Sequence, residues 1–367
     1  MASMGNIATV FQSGKGEEFR YPALYYNDNE EKLFAFAEKR TTATDATSML
    51  VMRTGIVDTN DATKMKEVKM FEAEEVVGVT KINNSTYRPM NPCVVYEKNT
   101  ETLFLFFIYV NETEQWQLRH HQNVARLCYI TKKINDDKWS EFTDVTNVLP
   151  TKGWSTFAVG PGHGIQTEKG RMIVPAYAYK KENNIPHSFY IYSDDNGSTW
   201  QYGMMLDKPS GECQMAEVSD GLIYCNARSQ GVYRVQAQID KSGFHSKTSV
   251  TPLVETGEGC HGSVVSFPDQ FGEPNTKWLL YSHPTNQSER LDLGIYLNNS
   301  PQNSDENCSG EWSQPWIINP GPSGYSDLTY IEGGLFACLM ERGEKTYTEE
   351  IVFQVFSYDD IQKAIKG

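Results

Sequence analysis

The stretch Ser193-Asp194-Asp195-Asn196-Gly197-Ser198-Thr199-Trp200 decides the fold. Ahead of it, His187 to Tyr192 (HSFYIY) is rich in aromatics and reads as a strand. Asp195, Asn196 and Gly197 supply hairpin chemistry: two polar residues that tolerate left-handed dihedrals, then a glycine that prefers them. Trp200 opens the run WQYGMML and is large enough to wedge a hairpin against its neighbour. Two strands joined by a rigid turn are therefore predicted, with a tryptophan to lock them.

Working outward, short apolar-aromatic runs recur with turn residues between them. Upstream they include KLFAFAE (32–38), SMLVMR (48–53), PCVVYE (92–97), LFLFFIYV (103–110), ARLCYITK (125–132) and RMIVPAYAY (171–179). Downstream come GLIYCNAR (221–228), VYRVQAQID (232–240), GSVVSF (262–267), WLLYSH (278–283), LGIYLN (293–298), GGLFACLM (333–340) and EIVFQVFS (350–357). This spacing, almost free of helical periodicity, predicts an all-β sandwich, barrel or propeller, with a short helix in the tail DDIQKAIKG. The turn chemistry echoes weakly at INDDKWS (134–140) and IDKSGF (239–244), and its tryptophan end at SGEWSQPW (309–316). Repeated hairpins of this kind fit propeller blades. No Pro/Ser/Gly-rich linker divides the chain, so residues 1–367 are read as one domain.

The chain has 367 residues, of which 39% are hydrophobic and 12% aromatic, enough for a substantial core biased toward strands. Its formal charge of −14 argues against nucleic acid as a partner and against wholesale electrostatic attachment to anionic lipid. Neither a secretory signal nor a membrane-spanning apolar run is visible, and the cysteines are scattered without a CxxC pair. Cytosolic location with reduced thiols is the expectation.

An acidic protein that binds an anion must concentrate its arginines. Arg20, Arg40, Arg228 and Arg290 each follow or flank a strand-like run. Read alone, Arg20 in FRYP is better explained as a surface arginine packed on aromatic faces. Convergence of several would instead make a carboxylate site, since guanidinium forks bind a planar carboxylate bidentately. His120-His121 has no third metal ligand nearby in sequence and reads as solvated. His163, between glycines, reads as a turn residue.

At this point the chain resembles the animal sialidases (neuraminidases) nearly end to end. S-x-D-x-G-x-T-W at 193–200 is similar to their Asp-box, and FRYPALYY to their Y/F-R-I-P motif. MNPC (90–93), TEQ (113–115), WSTFAVGPGHGIQ (154–166), ECQMAEV (212–218), NARS (226–229), DLGIYLN (292–298) and GYSDL (324–328) follow in the family's order. The phrases GPGHGIQ, YSHPT and GPxGYSDL lean toward the ganglioside-type branch, which keeps peripheral membrane association open; the compact length is more like the cytosolic branch. The resemblance implies a six-bladed β-propeller and an exo-α-sialidase acting on sialylated glycolipids or glycoproteins, with neither metal nor cofactor. A lectin with an idle nucleophile, or a trans-sialidase, is the alternative.

Position by position, the resemblance implies that Arg20, Arg228 and Arg290 hold the C1 carboxylate of sialic acid, with Glu38 and Glu341 bracing the first. Tyr325 matches the nucleophile, Glu212 the carboxylate beside it and Asp45 the general acid/base. Arg40, Asn91, Glu114, Tyr177 and Tyr179 match residues lining the sugar pocket. Glu217 competes with Glu212, which is preferred for its place before Cys213-Gln214 and its spacing to Arg228. Tyr21 replaces the usual isoleucine, and His261 stands where a glutamine is common.

Overall fold

The computed structural model describes residues 7–41, 48–57, 68–70, 72–241, 243–247, 253–270, 276–301 and 312–366. Strands dominate, and each run quoted above lies largely or wholly within one. Lys32–Arg40, Thr102–Val110 and Leu335–Arg342 are buried along nearly their whole length. That is why they read as continuous apolar runs rather than as alternating ones. The tail forms the helix Tyr358–Lys366. Among the described residues, no helix is long and apolar enough to cross a membrane.

Antiparallel neighbours in sequence are neighbours in space. Glu18–Asn27 pairs with Lys32–Arg40, which pairs with Ser48–Val57. The same meander repeats in Ser85–Glu97, Thr102–Val110 and Arg126–Lys133; in Trp154–Val159, Met172–Lys180, Pro186–Ser193 and Gln201–Met205; and in Cys213–Ser219, Leu222–Ala227, Val235–Asp240 and Gly243–Lys247. The arrangement is propeller-like. Hydrogen bonding nevertheless delimits five sheets rather than six separate blades, one of them seven-stranded. The cause is Trp316–Ile331, whose first half pairs with Leu291–Asn298 and whose second half pairs with Leu335–Arg342. At the far edge of that sheet, Ile7–Gln12 pairs with Glu350–Ser357, so the N-terminal strand closes the last sheet.

Buried side chains fill the spaces between facing sheets. Phe106, Val110 and Leu127 meet Phe157, Val174 and Trp200, and Leu24, Leu33 and Val51 meet Leu339, Ile351 and Phe353. The octapeptide at 193–200 joins two such layers. The Asp195 carboxylate accepts from the Thr199 amide (2.8 Å), the Thr199 hydroxyl (2.6 Å) and the Ser193 hydroxyl (2.8 Å), closing the turn. Trp200 then stands edge-on to Phe104 and Phe106 of the preceding sheet, with centroids at 5.8 and 4.7 Å.

Candidate active site

The site residues sit where ladders break. Glu18–Asn27 loses register between Arg20 and Ala23, Ser85–Glu97 between Met90 and Cys93, and Trp316–Ile331 between Ser323 and Ser326. Such bulges bend a strand and re-aim a side chain. Two carry non-glycine residues at positive φ, Tyr21 at 57° and Asn91 at 58°. In the third, a Cβ on Gly324 would lie 2.3 Å from Glu341 Oε2, so only glycine lets the strand approach that carboxylate.

Glu341, fully buried, organises one side. Its Oε1 accepts from Arg20 Nε (2.8 Å) and the Tyr21 amide (2.9 Å), and its Oε2 from the Tyr325 amide (2.9 Å). One carboxylate thus fixes an arginine and two bulges. Glu38, the other expected brace, accepts from Arg40 Nε at 3.0 Å.

On the other side, Tyr325 donates its hydroxyl to Glu212 Oε1 at 2.5 Å, and Arg228 Nη1 contacts both Glu212 Oε2 (3.0 Å) and the Tyr325 hydroxyl (3.2 Å). Arg228 is steadied by the Glu258 carbonyl at 2.6 Å and Arg290 by the Gly259 carbonyl at 2.8 Å. The guanidinium carbons of Arg20 and Arg290 stand 5.7 and 5.3 Å from the Tyr325 ring. Glu217 is elsewhere, held by Lys277 at 2.8 Å, which separates it from Glu212.

Electrostatics follow from burial and pairing. Burial, with Glu212 and Tyr21 adding to it, pushes the Tyr325 phenol well above its usual range, although Arg228 and Arg290 pull it down. Burial would also raise Glu212, but Arg228, His261 and the hydrogen bonds from Tyr325 and Arg228 outweigh it and hold the carboxyl low. A proton on Tyr325 and a charge on Glu212 is the resting arrangement.

Tyr177, Tyr179, Glu114, Glu212, Arg228 and Tyr325 line a cleft of about 190 Å³. It shares Tyr21, Glu114 and Tyr177 with a larger cavity of about 550 Å³ that Asn91 also lines. Glu114 opens the helix Glu114–His120, which the apolar periodicity did not reveal because it spans two turns at most. His120 and His121 are exposed at that helix's end, His120 stacked on Trp116. Asp45 lies outside the described residues.

Three residues carry more than the sequence suggested. His163 is not simply a turn residue: its Nδ1 lies 2.7 Å from Asp327 Oδ1. His261 is fully buried with its ring 5.4 Å from that of Tyr325, and neither ring nitrogen has a hydrogen-bond partner among the described residues. Tyr347, in the loop between Leu335–Arg342 and Glu350–Ser357, faces both Arg20 and Arg290. No periodicity or motif marks it in GEKTYTE, and only the fold brings it to the arginines.

The BNR repeat-like domain matches residues 31–338. Sialidase-3 of Mus musculus is 38% identical over 96% of this chain and 95% of its own length. Sialidase-2 of Cricetulus griseus is 40% identical over 98% and 97%. Among solved structures, Trypanosoma rangeli sialidase superposes with a TM-score of 0.78 at 15% identity, covering 100% of this chain and 61% of that one. With full-length relatives at this identity, a matching repeat domain and the same fold, the chain belongs to the animal sialidase family.

Proposed function

We infer that this protein is an exo-α-sialidase that releases terminal sialic acid with retention through a tyrosyl-sialoside intermediate. The observation that carries it is the Tyr325 hydroxyl 2.5 Å from Glu212 beneath converging guanidinium groups. The anomeric carbon of a sialoside already bears a carboxylate, so an anionic nucleophile would approach against like charge. A protonated tyrosine avoids this, and Glu212 takes its proton as the oxygen attacks C2. Tyrosine nucleophiles are a known exception to the two-carboxylate glycosidase scheme.

Arg20, Arg228 and Arg290 would hold the C1 carboxylate while positive charge develops at C2. Asp45 would protonate the departing oxygen, then deprotonate the water that releases the sugar, with Glu212 returning its proton to Tyr325. Arg40, Asn91, Glu114, Tyr177 and Tyr179 would line the pocket for the acylamino and glycerol groups. A six-bladed reading accompanies this site. Six buried clusters, each bridging consecutive strand groups, support it, with Trp316–Ile331 shared by the last two blades.

Hydrolysis of a fluorogenic α-sialoside by wild type, Tyr325→Phe and Glu212→Gln tests the reading, with proton NMR identifying the first-released anomer. Wild type should release the α-anomer, and each variant should lose about 10²-fold or more in kcat. Absence of wild-type turnover alongside measurable sialic-acid binding would leave only a lectin.

A further inference from the structure

Arg20 and Arg290 both lie against the Tyr325 ring, and like charges held close in a partly dry cleft repel one another. Arg20 is compensated by Glu341. For Arg290, the structure gives no carboxylate contact among the described residues, only the Gly259 carbonyl at 2.8 Å. Beside Tyr325, a second ring meets both guanidinium groups: the centroid of Tyr347 lies 5.2 Å from Arg20 Cζ and 5.1 Å from Arg290 Cζ. Both distances are within the range at which an aromatic face attracts a cation.

The loop that presents Tyr347 is built for rigidity. The Glu349 carboxylate accepts the backbone amides of Glu344 (3.0 Å), Lys345 (2.8 Å) and Thr346 (2.9 Å). A Cβ on Gly343 would lie 2.0 Å from the Thr346 carbonyl, so the turn that precedes Tyr347 closes tightly. A Cβ on Gly324, beside Tyr325, would likewise stand 2.7 Å from Tyr347 Cδ2. The ring is therefore packed against the strand that carries Tyr325.

We propose that Tyr347 is a positioning residue, an aromatic platform whose ring holds Arg20 and Arg290 at the spacing a substrate carboxylate needs. It acts through the arginines and takes no part in proton or group transfer. The assignment rests on the sialidase reading above, because the carboxylate it prepares for is that of sialic acid.

Leucine keeps an apolar volume at this position but has no quadrupole; phenylalanine keeps the ring and drops only the hydroxyl. Tyr347→Leu should raise KM for a sialoside about tenfold with kcat within about twofold, since displaced arginines hold the carboxylate less well in ground and transition states alike. Tyr347→Phe should restore KM to within about twofold. Affinity for a 2,3-unsaturated sialic acid and for its C1 carboxamide, measured by calorimetry, gives a second readout. Tyr347→Leu should lower the acid-over-amide preference about tenfold, and Tyr347→Phe should leave it.

Equal behaviour of the leucine and phenylalanine variants, or a leucine variant that weakens acid and amide alike, would overturn the assignment. If wild type binds these ligands but turns over no sialoside, the hydrolase reading fails. The acid-over-amide ratios then still decide whether Tyr347 sets the arginines.

Discussion

His261 is an unusual neighbour for a nucleophile. Its ring is fully buried 5.4 Å from Tyr325, and the charged and titratable groups acting on it are Glu212, Asp327, Arg234 and His163. Burial outweighs the attraction of the two carboxylates and pushes the imidazole down to about 4 from 6.5. The unfolded chain therefore takes up this proton before the folded one does. Stability from a neutral His261 is present above about 6.5 and is lost as pH falls toward 4, by about 3 kcal/mol at most at ~1.36 kcal/mol per unit. His163, raised by its Asp327 partner against burial, runs the other way: its contribution is present at low pH and lost as pH rises through its folded value. Urea unfolding of wild type and His261→Gln at pH 7 and 4.5 separates the two. The pH-dependent loss should shrink by about 2–3 kcal/mol in the variant, and an equal loss in both chains would show that His261 is not the group responsible.

The hairpin at 193–200 shows how a turn becomes an interface. Gly197 has φ 83°, and a Cβ there would meet Phe104 Cζ of the preceding sheet at 2.3 Å. Gly221 has φ 76° with nothing within 4 Å, so it isolates the dihedral cost from the clash. Gly221→Ala should cost about 1 kcal/mol, and Gly197→Ala about 2–3 kcal/mol more as Phe104 and Trp200 are displaced. Matching losses on chemical denaturation would mean that the turn, not the contact between sheets, carries the cost. This hairpin was legible because its chemistry is local: turn residues at fixed offsets between two aromatic runs. Trp316–Ile331 was harder to read as a strand, because Pro320, Gly321, Pro322 and Gly324 interrupt it with residues that ordinarily end one. Those interruptions mark the place where it changes partners and aims Tyr325. The arginines and Tyr325 could be named through the family's motifs, but Tyr347 and the role of His163 depend on which loops the ring of sheets brings together.

At the scale of the whole molecule, Asp327 ties the sheets together two residues beyond Tyr325. Its Oδ2 accepts from the Leu24 amide at 2.7 Å, while its Oδ1 lies 2.7 Å from His163 Nδ1 and accepts from the Ser263 hydroxyl at 2.8 Å. Ser263 Oγ in turn accepts from the Leu328 amide at 3.0 Å. One fully buried carboxylate thus joins Glu18–Asn27, the segment after Trp154–Val159, Ser263–Pro268 and its own strand. The groups meet across long sequence separations, so no spacing rule could have assembled them. Asparagine at 327 keeps the shape but removes the charge, and its amide nitrogen cannot accept where a carboxylate oxygen did. With charged hydrogen bonds contributing about 1.5–3 kcal/mol each, Asp327→Asn should lower the unfolding free energy by about 3–5 kcal/mol. Because Asp327 is not among the groups around the Tyr325 hydroxyl, kcat per folded molecule should fall less than about tenfold. Glu212→Gln should instead lose about 10²-fold or more in kcat, with a stability loss of its own from the weakened charged hydrogen bonds to Tyr325 and Arg228. Measuring both quantities on both variants separates the carboxylate that holds the ring together from the one that works at its mouth; a stable but inactive Asp327→Asn would place Asp327 in the chemistry instead.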